Sequence, residues 1–178
     1  MTASRILLLI IGVLILIGWN VAVWPYVVNS YAQLLVSILQ PLVSDETQLQ
    51  VTTHEVIVYD HKGTPIVQKS LDSMNEFGLL LALFLAVPLM PFSQRMQRLL
   101  LALGIQIALH IVELSLLIWI AYEFYFGINK QSFAYWLLNL LMAGNLIFPI
   151  LLWALLSWRF WLPKLAPQPH QKPKEARP

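Results

Sequence analysis

Three side chains carry most of the chemistry open to this sequence: Gln106, His110 and Glu113. On a helix turning 100° per residue they fall within an arc of about 60°, so they form one polar seam on one face. His110 lies near the middle of an apolar block running from Leu99 to Tyr122. An ionisable residue at that depth costs about 2.5–3.5 kcal/mol on insertion scales, so it requires a partner or a wet cavity. Two readings stay open. In one, the seam faces a bundle interior and handles protons or contacts a ligand. In the other, it is an interhelical hydrogen-bond strip, with Glu113 protonated and paired to His110 or to a neighbouring helix, in this chain or another.

Other chemistry finds little support. His110 and Glu113 make a single His-x-x-Glu, and a carboxylate di-metal bundle needs several inward-facing ligands, so no metal is expected. The chain has no cysteine, which excludes disulfides, thiolate nucleophiles and cysteine-ligated metals. Ser-His-Asp ordering, a glycine-rich phosphate loop and HExxH are all missing, so no catalytic residue, cofactor or enzymatic activity is expected. His54, Glu55, Asp60 and His61 gather near a turn and read as solvated polar groups. Asn20, Asn139 and Asn145 are candidates for interhelical contacts, the last two on different faces of their helix.

The elements that must position the seam are read from composition. Of 178 residues, 58% are hydrophobic and only 11% charged, with a mean hydropathy of +0.69. A soluble domain carries about a quarter charged residues, and here the apolar ones are collected into long blocks. The expected fold is an all-α membrane protein of four transmembrane helices, with a small external β-hairpin between helices 1 and 2. Residues 1–28 form an uncleaved signal-anchor span, since the run from Ile6 passes into Trp19-Asn20-Val21-Ala22-Val23-Trp24 rather than a small-residue cleavage site. Three further spans occupy 77–92, 99–122 and 133–158 within a 77–161 region, and aromatic residues at their ends resemble interfacial belts. Gly144 allows close helix approach and Pro149 kinks the last span. The proline-rich tail, 162–178, has no apolar face and is expected to be disordered.

Between the first two spans, residues 29–76 hold an amphipathic helix and the hairpin. Tyr31, Leu34, Leu35, Ile38 and Leu42 recur at helical spacing, either prolonging the first span or lying on the membrane surface. Val51 to Tyr59 reads as one strand, Asp60-His61-Lys62-Gly63 as the turn, and Thr64 to Val67 as an edge strand.

Basic residues set the orientation. With the N-terminus inside, Arg5, Arg95, Arg98, Arg159, Lys164, Lys172, Lys174 and Arg177 are cytoplasmic, and only Lys62, Lys69 and Lys130 are external. Both termini are therefore expected in the cytoplasm. The same placement explains the pI near 9.0 without a basic face, so the partner is a lipid bilayer and not nucleic acid.

One resemblance rests on particular residues. Trp24-Pro25 leads into Tyr31-Ala32-Gln33-Leu34-Leu35, a strand-rich insert follows, and then comes Leu71-Asp72-Ser73-Met74-Asn75-Glu76-Phe77-Gly78-Leu79-Leu80-Leu81-Ala82-Leu83 before two further spans. This layout resembles the small membrane proteins associated with exosortases, particularly the exosortase H-associated type. Exosortases are polytopic transpeptidase-like enzymes that use a Cys with Arg and His; a chain without Cys is not such an enzyme. The resemblance implies a non-enzymatic accessory subunit beside an exosortase-like protein-sorting or envelope-export partner, in the inner membrane of a Gram-negative bacterium. The rival expectation is a small transporter or proton-coupled subunit built on Gln106, His110 and Glu113.

Overall fold

The computed structural model describes residues 3–43, 47–52, 54–71, 76–86, 90–125, 133–145 and 147–165. The chain opens with α1 (Ala3–Gly18), which passes through a wide turn at Trp19–Val23 into α2 (Trp24–Leu39). Pro25 explains that turn. A proline has no N–H to give the carbonyl four residues earlier and its ring crowds that carbonyl, so the helix loosens just upstream. The Trp24 N–H reaches back to the Trp19 carbonyl, five residues away, and the helix then resumes. The amphipathic stretch continues the same long helix as the first apolar block.

The buried stripe on α2 is Trp24, Val28, Tyr31, Ala32, Leu35 and Leu39. Leu34, Ile38 and Leu42, which the sequence also placed on the apolar face, are 46%, 37% and 71% exposed. The apolar arc is broader than the partner that covers it, so a second ridge is left uncovered.

A three-stranded antiparallel sheet lies against this stripe: β1 (Gln48–Thr52), β2 (Glu55–Tyr59) and β3 (Pro65–Ser70), in that order. The expected hairpin is thus corrected to a sheet, because the single strand read over Val51–Tyr59 is two. His54 reverses the chain at φ +71°, its N–H held by Asn29 Oδ1 at 3.2 Å. The second turn matches expectation. Asp60 Oδ1 accepts from the N–H groups of Lys62 and Thr64, each at 2.8 Å, and Gly63 takes φ +74°. Leu49, Val56 and Val58 face α2, and in the register Lys69 pairs with Val56 and Val67 with Val58, so the side chain of Lys69 leaves from the inward face.

Beyond the sheet, α3 (Phe77–Ala86) is only ten residues, roughly 15 Å. Trp19 lies across it at Gly78, where an added Cβ would stand 2.6 Å from Cδ1 of the indole. Pro91 precedes α4 (Phe92–Tyr125), so this helix begins well before the expected 99. Arg95 in its first turn donates to the carbonyls of Leu85 and Met90 at 3.2 and 3.1 Å, tying the two helices together. The expected span 133–158 is two helices, α5 (Phe133–Gly144) and α6 (Phe148–Leu165), bent by 74°. Gly144 ends α5 under the ring of Phe148, and Pro149 opens α6 where its missing N–H is harmless. The tail expected from residue 162 is helical as far as Leu165, and the rest lies outside the described residues.

Among the described residues, two helices are long and apolar enough to cross a membrane, Ile6–Leu42 and Phe92–Ala121, or three if α5 and α6 are one broken span. The molecule is polarised along these helices. The sheet covers one end; at the other, Arg98 stacks on Phe160 at 5.0 Å and Arg159 lies over Trp158 at 5.6 Å. One apolar cluster joins α2, the sheet, Phe77, Leu114 and Ile118, and a second joins Leu80, Phe84, Met90, Leu99 and Ala102 against α6.

Candidate functional site

Gln106, His110 and Glu113 do share one face of α4, and all three are at most 1% exposed. They are not alone there. Tyr31 reaches them from α2, Glu76 from the residue preceding α3, Lys69 from β3, and Asn145 from the end of α5. Four helices and the sheet therefore meet along this one buried face of α4.

His110 is held from both sides. Its Nδ1 is 2.7 Å from Tyr31 Oη, and its Nε2 is 3.1 Å from both Glu76 Oε2 and Gln106 Nε2. Tyr31 and Phe77 clasp the imidazole edge-on, with ring centroids 5.9 and 5.5 Å away. Nε2 thus has one place for a hydrogen and two claimants. When Nε2 carries the hydrogen it donates to ionised Glu76 and accepts nothing from the Gln106 amide; when bare, it accepts from Gln106 or from protonated Glu76. Moving a proton through the ring exchanges these arrangements and reverses the bond to Tyr31. Tyr31–His110–Glu76 is chemically a short proton wire.

Glu113 belongs to a separate pair. Its Oε1 accepts from Lys69 Nζ at 2.8 Å and its Oε2 from Asn145 Nδ2 at 3.3 Å. The Glu113 side chain is 2% exposed and that of Lys69 12%, so both ions are largely out of water. Of the two partners expected for Glu113, His110 or a neighbouring helix, the contact is with the second, through Asn145 at the end of α5, joined by the inward-facing Lys69, while His110 turns to Glu76. A full ammonium at hydrogen-bond distance is the stronger partner for a buried carboxylate.

Along α4 the seam lies close to the sheet. Leu114 and Ile118 pack in the same cluster as Leu49 and Val56 of the sheet, so α4 continues alongside the sheet once past Glu113. From Arg95 to Glu113 the helix rises roughly 27 Å, close to the ~30 Å hydrocarbon thickness of a bilayer. His110 sits about 22 Å from Arg95 on the same measure, one turn before Glu113.

The other candidates divide. Asn145 makes the interhelical contact foreseen for it. Asn20 Nδ2 donates to Leu16 and Asn139 Nδ2 to Tyr135, each a carbonyl one turn back in its own helix. Those bonds satisfy the amide within the helix that carries it. Glu55 meets Gln68 on the exposed sheet face, and Asp60 builds its turn. Among the described residues no group of three metal-binding side chains gathers.

Sequence reasoning missed Tyr31, Glu76 and Lys69 as members of the cluster. Two signals were present. Strand alternation puts Lys69 on the same face as Val67, which is an apolar face, and an inward lysine demands an acid. Glu76 directly precedes an apolar helix, where a carboxylate is both favoured by the helix dipole and drawn inward.

Comparison with protein-family models, curated proteins and solved structures finds no match for this chain.

Proposed function

We propose that this chain is a non-enzymatic accessory subunit of the bacterial inner membrane that docks on a polytopic membrane protein. In this reading it crosses the bilayer four times, through α1, the 77–92 segment that α3 begins, α4 and the bent α5–α6 pair. Both termini are cytoplasmic and the sheet is periplasmic. The partner belongs to an exosortase-like protein-sorting or envelope-export system, as the sequence resemblance implies. The arginines gathered at the end away from the sheet support the orientation.

One observation carries the docking role: the uncovered ridge of Leu34 and Ile38 on α2 and Leu42 in the turn that follows it. The helix from Ile6 to Leu42 has 37 residues, or roughly 56 Å, against a hydrocarbon layer of ~30 Å. Even tilted by about 40° it outreaches the bilayer, so its last turns stand beside the sheet. An apolar ridge at that height is a docking face. The seam complements this argument, because His110 and Glu113 find their partners within the chain and leave the outside contact to α2.

The test is photo-crosslinking in native membranes from a benzophenone side chain placed at Ile38 or Leu42, with Gln48 on the sheet as control. The reading predicts one discrete adduct with a multi-spanning protein from the α2 positions. Adducts with lipid alone would sink it. A second reading, a proton-coupled subunit, is favoured by the Tyr31–His110–Glu76 wire. It predicts that Glu76→Gln abolishes a proton-dependent activity while leaving the crosslink in place.

A further inference from the structure

Lys69, Glu113 and Asn145 come from β3, α4 and the end of α5, and one carboxylate holds the other two. Glu113 Oε1 accepts from Lys69 Nζ at 2.8 Å, and Oε2 accepts from Asn145 Nδ2 at 3.3 Å. A primary amine and a carboxamide are thus gathered around a single proton-accepting group. The Lys69 and Glu113 side chains are 12% and 2% exposed, and Asn145 is half-buried. Leu114, the residue after Glu113, belongs to the apolar cluster that α2 and the sheet share.

These are the parts needed to make an amide between two side chains. An amine attacks only after giving up its proton, and Glu113 is in place to take it. That transfer leaves two neutral groups where there were two buried charges, whose desolvation is costly. The atom to be attacked, Cγ of Asn145, is bonded to the nitrogen that Glu113 holds. The four-carbon lysine stem has the rotatable bonds to turn Nζ from Oε1 toward it.

We infer that Lys69 and Asn145 join in an isopeptide bond, with Glu113 moving the protons. The ion pair is the reactant. One Nζ proton passes to Glu113, and the freed lone pair forms the Nζ–Cγ bond while the carbonyl π pair moves onto oxygen. Glu113 gives its proton to Nδ2 and takes a second from Nζ. As the oxygen lone pair returns, the Cγ–Nδ2 bond breaks and ammonia leaves. The products are a neutral amide beside a neutral carboxylic acid. The bond ties the last strand of the sheet to the end of α5, just before the bend into α6, and a covalent link of this kind restricts the unfolded chain.

The test is a peptide map of the full chain, purified from membranes in mild detergent and digested with trypsin. Trypsin cuts after free lysine, so a linked chain gives one branched peptide joining Gly63–Arg95 to Gln131–Arg159. Its mass is the sum of the two less one ammonia. Lys69→Arg keeps a cation for Glu113 but offers no attacking amine, and it should give none of this peptide. Asn145→Ala should give none either. Glu113→Gln should leave at least tenfold less after the same growth time, since a positioned acid–base group is worth about 10²–10⁴-fold in rate. Lys62→Arg, in the exposed turn, should change nothing. Circular dichroism checks that each variant keeps its helix content. A wild-type chain cut after Lys69 into linear peptides overturns the proposal. So does ammonia lost from the Asn145 peptide alone, which marks ring closure on its own backbone, and so does branching in Glu113→Gln equal to wild type. Lys69→Met, alone or with Glu113→Gln, lacks the bond in either case, so a difference between those two reads the buried charge. All of these are read without a protein partner, so they stand apart from the docking role.

Discussion

The two halves of the first long helix are both strongly apolar, yet they live in opposite surroundings. Along α1, Ile6, Leu7, Leu9, Ile10, Val13, Leu14 and Ile17 are all 45–62% exposed. Along α2, six residues are buried against the sheet and α4. Composition alone does not separate them. What separates them is the sheet, which covers α2 and leaves α1 to a solvent that tolerates hydrocarbon. Water is not such a solvent: each large aliphatic side chain held in it forfeits about 1.5–3 kcal/mol relative to burial. The difference teaches that the sheet buries one side of α2, whereas α1 packs on α3 at Gly12 and leaves a broad apolar face to its surroundings.

The sharpest way to break the packed region is through its ion pair. Lys69→Met leaves Glu113 buried with only Asn145 beside it, and the expected loss is about 3–5 kcal/mol. Reversible unfolding in mixed micelles reads it. The double variant Lys69→Met with Glu113→Gln should recover much of the loss, because no uncompensated charge remains. A full loss in the double variant would mean that the sheet is held by shape and not by this pair.

The comparison itself is tested by cutting the same side chain in both halves. Leu35 is fully buried and Leu14 is 62% exposed. Leu35→Ala should cost about 2–5 kcal/mol. Leu14→Ala, measured in the same micelles, should stay within about 0.5 kcal/mol. Equal losses would show that the outward side of α1 that carries Leu14 is packed and not open.

Where the two halves join, the expected effect is smaller. Gly78→Ala would place a Cβ 2.6 Å from Cδ1 and 3.0 Å from Cγ of Trp19. The indole is stiff and braced by Trp24 and Phe77, at centroid distances of 6.3 and 6.4 Å, so it has little room to yield. Overpacking of this kind costs about 1–3 kcal/mol. A thermal midpoint unchanged from wild type would mean that Trp19 is free to swing away.

Much of this architecture was readable from the chain, and the failures have physical reasons. The seam was readable because 100° per residue is enough to group Gln106, His110 and Glu113 on one face. Its partners were not, because Tyr31, Glu76 and Lys69 come from elements whose relative placement depends on tertiary packing. Helix content was readable from the apolar blocks. The break at Gly144 was half readable: Gly and Pro149 announced a kink, but whether a helix bends or divides depends on what Phe148 packs against. The third strand was hidden by β-branched residues on either side of His54, which takes positive φ with its N–H held by Asn29.

The smallest effect is also the cleanest probe of what α1 faces. Gly18 sits in helical conformation, φ −58° and ψ −41°, and an added Cβ there meets nothing within 4 Å. Gly12, one and a half turns earlier on the same helix, would bring its Cβ 3.3 Å from that of Ala86. The two glycines share a propensity and differ only in neighbours. Gly18→Ala should therefore stabilise by about 0.5–1 kcal/mol, the gain from removing a glycine from a helix interior. Gly12→Ala should give less, since part of that gain is spent moving α3. If Gly18→Ala destabilises the chain in membranes but not in detergent, then something in the membrane packs closely there, and the open face of α1 is a contact surface for a second protein rather than for lipid.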